Sequence, residues 1–79
     1  MATFQEAISS AVKAQAARNG LKNKDIAESM GISRDALWRR LSNRLTWNSE
    51  DFEKLARAIG LDSSWQLMDL AREEQHLAA

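Results

Sequence analysis

The chain has no cysteine, no proline and no tyrosine, and only three glycines in 79 residues. Without cysteine there can be no disulfide, no thiolate metal site and no cysteine nucleophile, so the usual staples of small secreted domains are excluded. Apolar residues never run beyond three in succession, as at Ala36 to Trp38. That is too short for a transmembrane span or a signal-peptide core, and a soluble intracellular protein is expected. β-Branched residues are also scarce: Val, Ile and Thr together number seven, against thirteen Ala and nine Leu. Sheets favour β-branched and aromatic residues, and helices favour Ala and Leu, so the expected class is all-α. With 44% apolar and 28% charged residues the composition is globular, and the length allows one domain spanning residues 1–79.

Net charge is absent too, since eleven basic residues balance eleven acidic ones. The zero is an average over two different halves. Residues 1–49 carry eight Lys/Arg against four Asp/Glu, giving +4, whereas residues 50–79 carry three against seven, giving −4. A neutral molecule can still present one basic face, because local field governs association more than the total does.

What is present is helical punctuation. Thr3 and Glu6 have capping-box spacing, and Phe4, Ile8, Ala11 and Val12 follow at helical period, which predicts a first helix over 4–18 closed by Asn19-Gly20. A short second helix is expected over 23–30, capped by Asn23 and stopped by Gly31, then a third over 34–41 capped by Ser33. Residues 42–47 read as a loop, with Trp47 expected to pack beneath it. A fourth helix is expected from a cap at Asn48 or Ser49, with Phe52, Leu55, Ala56 and Ile59 inward and Gly60 at its end. Ser63 and Gln66 have the spacing to cap a fifth over 64–75. The architecture predicted is a compact bundle of five short helices.

The segment 23–41 is the informative one. Ala27 lies four residues before Gly31, where a small side chain lets two helices cross closely. Ile32 follows the glycine and can fill the angle, and Leu37 faces back from the next helix. Two short helices joined by so tight a turn specify a helix-turn-helix. The core Ile-Ala-Glu-Ser-Met-Gly-Ile-Ser at 26–33, the run Arg-Asp-Ala-Leu-Trp-Arg-Arg-Leu at 34–41 and Asp-Phe-Glu-Lys-Leu-Ala-Arg-Ala-Ile-Gly-Leu at 51–61 together resemble the phage-repressor and Cro-like helix-turn-helix family, the lambda-repressor-like DNA-binding domains. The resemblance covers nearly the whole chain. Arg40 departs from it, standing where many relatives carry an apolar residue, and Trp38 is an uncommon choice for an outward position.

The resemblance implies a transcriptional regulator, a phage or prophage repressor or Cro-like protein, whose second motif helix enters the major groove. Ser33, Arg34, Asp35, Trp38 and Arg39 are then the candidate base contacts. Arg34 is suited to grip guanine O6 and N7, and Asp35 either accepts from cytosine N4 or orients Arg34 or Arg39. For Trp38 the alternatives are groove or phosphate contact, core packing and a subunit contact; for Trp47, DNA contact is the alternative to packing beneath the loop. Lys22, Asn23 and Lys24, with Asn43, Arg44, Thr46 and Asn48 of the loop, are the candidate phosphate contacts. Trp65, Met68 and Leu70 of the fifth helix are candidates for a twofold dimer contact. The partners expected are double-stranded DNA, as a pseudo-palindromic operator, and a second copy of the chain, in the cytoplasm of a bacterial host at the nucleoid. No cofactor, metal, membrane or small-molecule ligand is expected, Glu73 and His76 being read as a solvated pair, and no enzyme. The alternative is a protein-interaction module on the same fold, of the antitoxin or antirepressor type.

Overall fold

The computed structural model describes residues 3–78. Its elements are α1 (Phe4–Arg18), α2 (Asn23–Met30), α3 (Arg34–Leu41), a 3₁₀ turn (Ser49–Asp51), α4 (Phe52–Ala58) and α5 (Ser64–Ala78), with no strand among the described residues. The bundle of five helices is as expected. α1 opens on the capping box, with the Glu6 N–H donating to Thr3 Oγ1 at 3.2 Å and the Thr3 N–H donating to Glu6 Oε1 at 3.3 Å. Ser33 caps α3 by accepting from the Ala36 N–H at 3.1 Å.

The first four helices end alike. In each, an amide two or three residues past the helix donates back across its last turn: Leu21 to Ala16 O, Ile32 to Ala27 O, Arg44 to Arg39 O and Leu61 to Ala56 O, at 2.8–3.0 Å. This closure requires a left-handed residue just before the donor. Gly31 supplies it in the motif turn with φ +72°, a conformation any Cβ would strain. After α3 the position falls to Asn43, φ +64°, the one non-glycine residue with positive φ among those described.

α1 and α5, each of fifteen residues, share the most extensive helix pairing, while α2 packs on α3 and α4, and α4 on α5. Ile8, Val12, Leu37, Leu55, Ile59, Leu67 and Ala71 are fully buried where these faces meet, with Ile26 and Ala27 beside them. Burying each large side chain contributes about 1.5–3 kcal/mol. The Asn19 side chain, at the end of α1, donates to Ile59 O at 2.8 Å and so ties that helix to the end of α4.

Several local expectations need correction. Asn23 is the first helical residue of α2 rather than its cap; Lys22 holds the cap position, its N–H satisfied by the Asp25 carboxylate at 3.0 Å. Neither Asn48 nor Ser49 caps α4 through its side chain. Trp47 is fastened to α1, so the chain enters α4 from a fixed point through a tighter i→i+3 turn. Ser63 does not complete a capping box: Gln66 accepts instead from the Asp62 N–H at 2.7 Å, and Glu53 accepts from Ser64. α5 continues to Ala78, because nothing between Gln75 and Ala78 breaks a helix.

Candidate nucleic-acid interface

α3 divides cleanly into two sides. Leu37 and Leu41 are buried, while Ser33, Arg34, Asp35, Trp38 and Arg39, the five candidate base contacts, are all exposed. Asp35 pairs with Arg39, Oδ2 to Nε at 3.1 Å. Of the alternatives left open for Asp35, the geometry therefore favours orienting Arg39. Both side chains are more than half exposed, so the pair adds at most about 1 kcal/mol to stability. Arg34 has no carboxylate partner among the described residues.

Trp38 is 49% exposed, which removes the core alternative. The Arg44 guanidinium carbon lies 5.0 Å from its ring centroid, within cation–π range. Two surface hollows flank α3. One, of about 270 Å³, is lined by Lys24, Ala27, Glu28, Ile32 and Arg34. The other, of about 250 Å³, is lined by Lys13, Asn23, Trp38, Leu41 and Ser42. The start of α2 thereby shares hollows with α3, Lys24 in the one with Arg34 and Asn23 in the one with Trp38. Lys13 joins this group from α1, and sequence reasoning missed it, since nothing in the local pattern of α1 relates it to the motif. Arg40 shares the inward side of α3 with Leu37; it is half-buried, with Nη1 donating to Ala36 O at 3.4 Å and a buried Nε that has no partner.

The loop after α3 is held from below by α1. Trp47 is 3% exposed, as expected, and its indole N–H donates to Ser9 Oγ at 3.0 Å. Ser9, itself 1% exposed, also lies 3.0 Å from Arg40 O and 2.8 Å from Asn43 Oδ1. One helical turn earlier, the Gln5 amide donates to Trp47 O at 3.2 Å and accepts from the Trp47 N–H. Asn43 is therefore a structural residue as well as a phosphate candidate. Arg44, Thr46 and Asn48 are exposed along the same loop, as are Lys22, Asn23 and Lys24 at the start of α2. Ser9 and Gln5 escaped the sequence reading because their partners lie more than thirty residues away.

α5 presents a different surface. Leu67 and Ala71 are buried, Met68 and Leu70 pack half-buried against the core, and Trp65 is 77% exposed. The three candidate dimer contacts are thus unequal, and Trp65 alone stands well clear of the bundle. Just before it, the Glu53 carboxylate receives the Ser64 hydroxyl at 2.8 Å and the Ser64 N–H at 3.2 Å. These bonds, with Arg57 nearby, hold the Glu53 pKa below its ordinary value of 4.5. Asp69, Arg72, Glu73 and His76 border a further hollow on α5, and no cluster suited to a metal ion occurs among the described residues. None of the described helices is long and apolar enough to cross a membrane.

No protein-family model matches the chain, and no curated protein matches it in sequence. Among solved structures, the crystal structure of the clp gene regulator ClgR from C. glutamicum is similar, with a TM-score of 0.82 at 22% identity over 92% of this chain and 94% of that one. The helix-turn-helix bundle described above is therefore a fold that this chain shares, over nearly its whole length, with a gene regulator.

Proposed function

We propose that the chain is a sequence-specific DNA-binding transcriptional regulator, a phage or prophage repressor or Cro-like protein, rather than an enzyme. On this reading residues 1–79 act as one domain, α3 enters the major groove, and two copies bind a pseudo-palindromic operator at the bacterial nucleoid. The observation that carries the reading is the outward side of α3: Arg34, Trp38 and Arg39 stand accessible over a seated Leu37, with Lys13, Lys24 and Arg44 around them. An α-helix of this kind fits the major groove, and cations at its margins suit the phosphates on either side. The ClgR likeness supports the fold this requires.

Each residue then has a role. Arg34 and Arg39 read purine edges, Asp35 orients Arg39, and Ser33 and Trp38 contact the groove beside them. Lys22, Asn23, Lys24, Asn43, Arg44, Thr46 and Asn48 position the protein on the backbone without specifying sequence. Trp65 leads the dimer contact, with Met68 and Leu70 behind it. The test is selection from a randomised duplex pool. It should return paired half-sites whose centres lie one helical turn, about 34 Å, apart. A protein-interaction module would enrich no sequence, and the acidic second half with its exposed Trp65 is the feature that favours that second reading.

A further inference from the structure

We propose that Ser9 and Gln5 of α1 are positioning residues for DNA-backbone contact, holding the loop 42–48 in its binding shape although Ser9 itself is buried. The inference rests on the DNA-binding reading above. The loop carries four of the seven candidate phosphate contacts, and it would be expensive to order at the moment of binding if it were free. It is instead fastened near both ends. At its start, Asn43 is left-handed and closes α3, with its N–H on Arg40 O and its side chain against Ser9. Towards its end, the backbone of Trp47 is paired on both its N–H and its C=O by the one amide of Gln5.

Ser9 joins the two anchors. Its hydroxyl has one proton, yet it lies near two acceptors, Arg40 O and Asn43 Oδ1, while accepting from the Trp47 indole. Turning the Asn43 amide over, so that Nδ2 donates to Ser9 and Ser9 donates to Arg40 O, satisfies every group. A single buried hydroxyl then bridges the end of α3, the left-handed residue and the loop's buried tryptophan. Between the anchors only Arg44, Leu45 and Thr46 remain, and Arg44 is steadied over Trp38. Gln5 and Ser9 are four residues apart and so share one side of α1, which makes that helix the template for the loop.

The test uses the full chain with Ser9→Ala, Gln5→Ala, Arg44→Ala and the Ser9→Ala/Arg44→Ala pair. Each is titrated with salt on a random-sequence duplex and on the selected site, at a temperature where its circular dichroism matches the parent. Ser9→Ala is expected to weaken both duplexes alike, roughly five- to tenfold, and to shallow the slope of log K against log salt by about one phosphate contact, leaving base preference unchanged. Gln5→Ala should act in the same direction and less, and it serves in place of Ser9→Ala should that variant not fold. If Ser9 works through the loop, the double variant loses little more than the worse single one. Folded Ser9→Ala and Gln5→Ala proteins with parental affinity and slope, or losses that simply add in the double variant, would overturn the proposal. A parent that binds no duplex would remove the DNA-binding reading itself, an outcome plainly different from a defect confined to the variants.

Discussion

Trp38 and Trp65 both stand on the surface of the bundle, 49% and 77% exposed, yet their settings have little in common. Trp38 has Arg44 over its ring and shares a hollow with Lys13 and Asn23. The loop beside it is fastened to α1 through Ser9 and Gln5. Trp65 opens α5 in the half of the chain that carries −4, with Asp62 and Asp69 within four residues and its own side chain clear of the core. An aromatic ring steadied among cations suits a polyanion, where stacking and charge act together. A bare aromatic ring among acids is poorly placed beside phosphate and better placed against another protein surface. The two settings differ in charge and in packing, and on the proposed reading they serve different partners.

The largest effect is expected from charging the exposed ring on α5. Trp65→Glu should leave the melting temperature near that of the parent, because the ring is not part of the core. It should cost the two-half-site operator at least about a hundredfold in affinity, as linkage of two binding modules is lost. Sedimentation equilibrium checks the cause: the parent should be dimeric and the variant monomeric, and a monomeric parent with one protein per operator removes the dimer contact from the account.

Next in size is the seating of α3. Ala27 is 2% exposed, and its C=O takes the Ile32 N–H at 3.0 Å in the motif turn. Ala27→Leu should overpack the crossing by about 1–3 kcal/mol. In a domain of this size each kilocalorie lowers the thermal midpoint by roughly 4–8 °C. An unchanged melt would mean that the crossing has room, and that α3 is not held as described.

Within the basic face, Arg34 and Arg44 are expected to differ. Arg34→Ala is expected to cost about 1–3 kcal/mol on the selected site and to relax one base position. Arg44→Ala should weaken all sequences alike and shallow the salt slope by about one contact. Equal losses on every sequence for both variants would take base readout away from Arg34.

The smallest effect concerns the junction in front of Trp65. Because Glu53 has its pKa lowered by its bonds from Ser64, its contribution to stability is present above pH 4.5 and is lost as pH falls through the lowered folded-state value. Thermal melts of the parent and of Glu53→Gln should therefore differ at neutral pH and converge in acid. A constant difference across that range would show that the Glu53 charge plays no part.

Much of this was legible in local pattern. Thr3 with Glu6 marks the start of α1, Gly31 the end of α2, Ser33 the start of α3 and Gly60 the turn after α4, through residue-specific capping chemistry that needs no tertiary context. The start of α4 was not legible, because the tether of Trp47 to Gln5, forty-two residues away in sequence, decides how the chain enters it. The candidate interface divides in the same way. Within α3 the Asp35–Arg39 pair follows from helical spacing, since residues four apart face each other and adjacent ones do not. Lys13 and Ser9 join the interface only because α1 lies beneath it, and no motif spacing records that.

The salt dependence of binding to a random-sequence duplex tests most directly whether the α3 face meets DNA. Binding that places several Lys and Arg side chains on phosphates should show log K falling linearly with log salt, at about 0.9 per phosphate neutralised. The selected operator should show a similar slope with a tighter intercept. No measurable duplex affinity at low salt, or an affinity that salt leaves unchanged, would contradict the assignment of the α3 face to DNA.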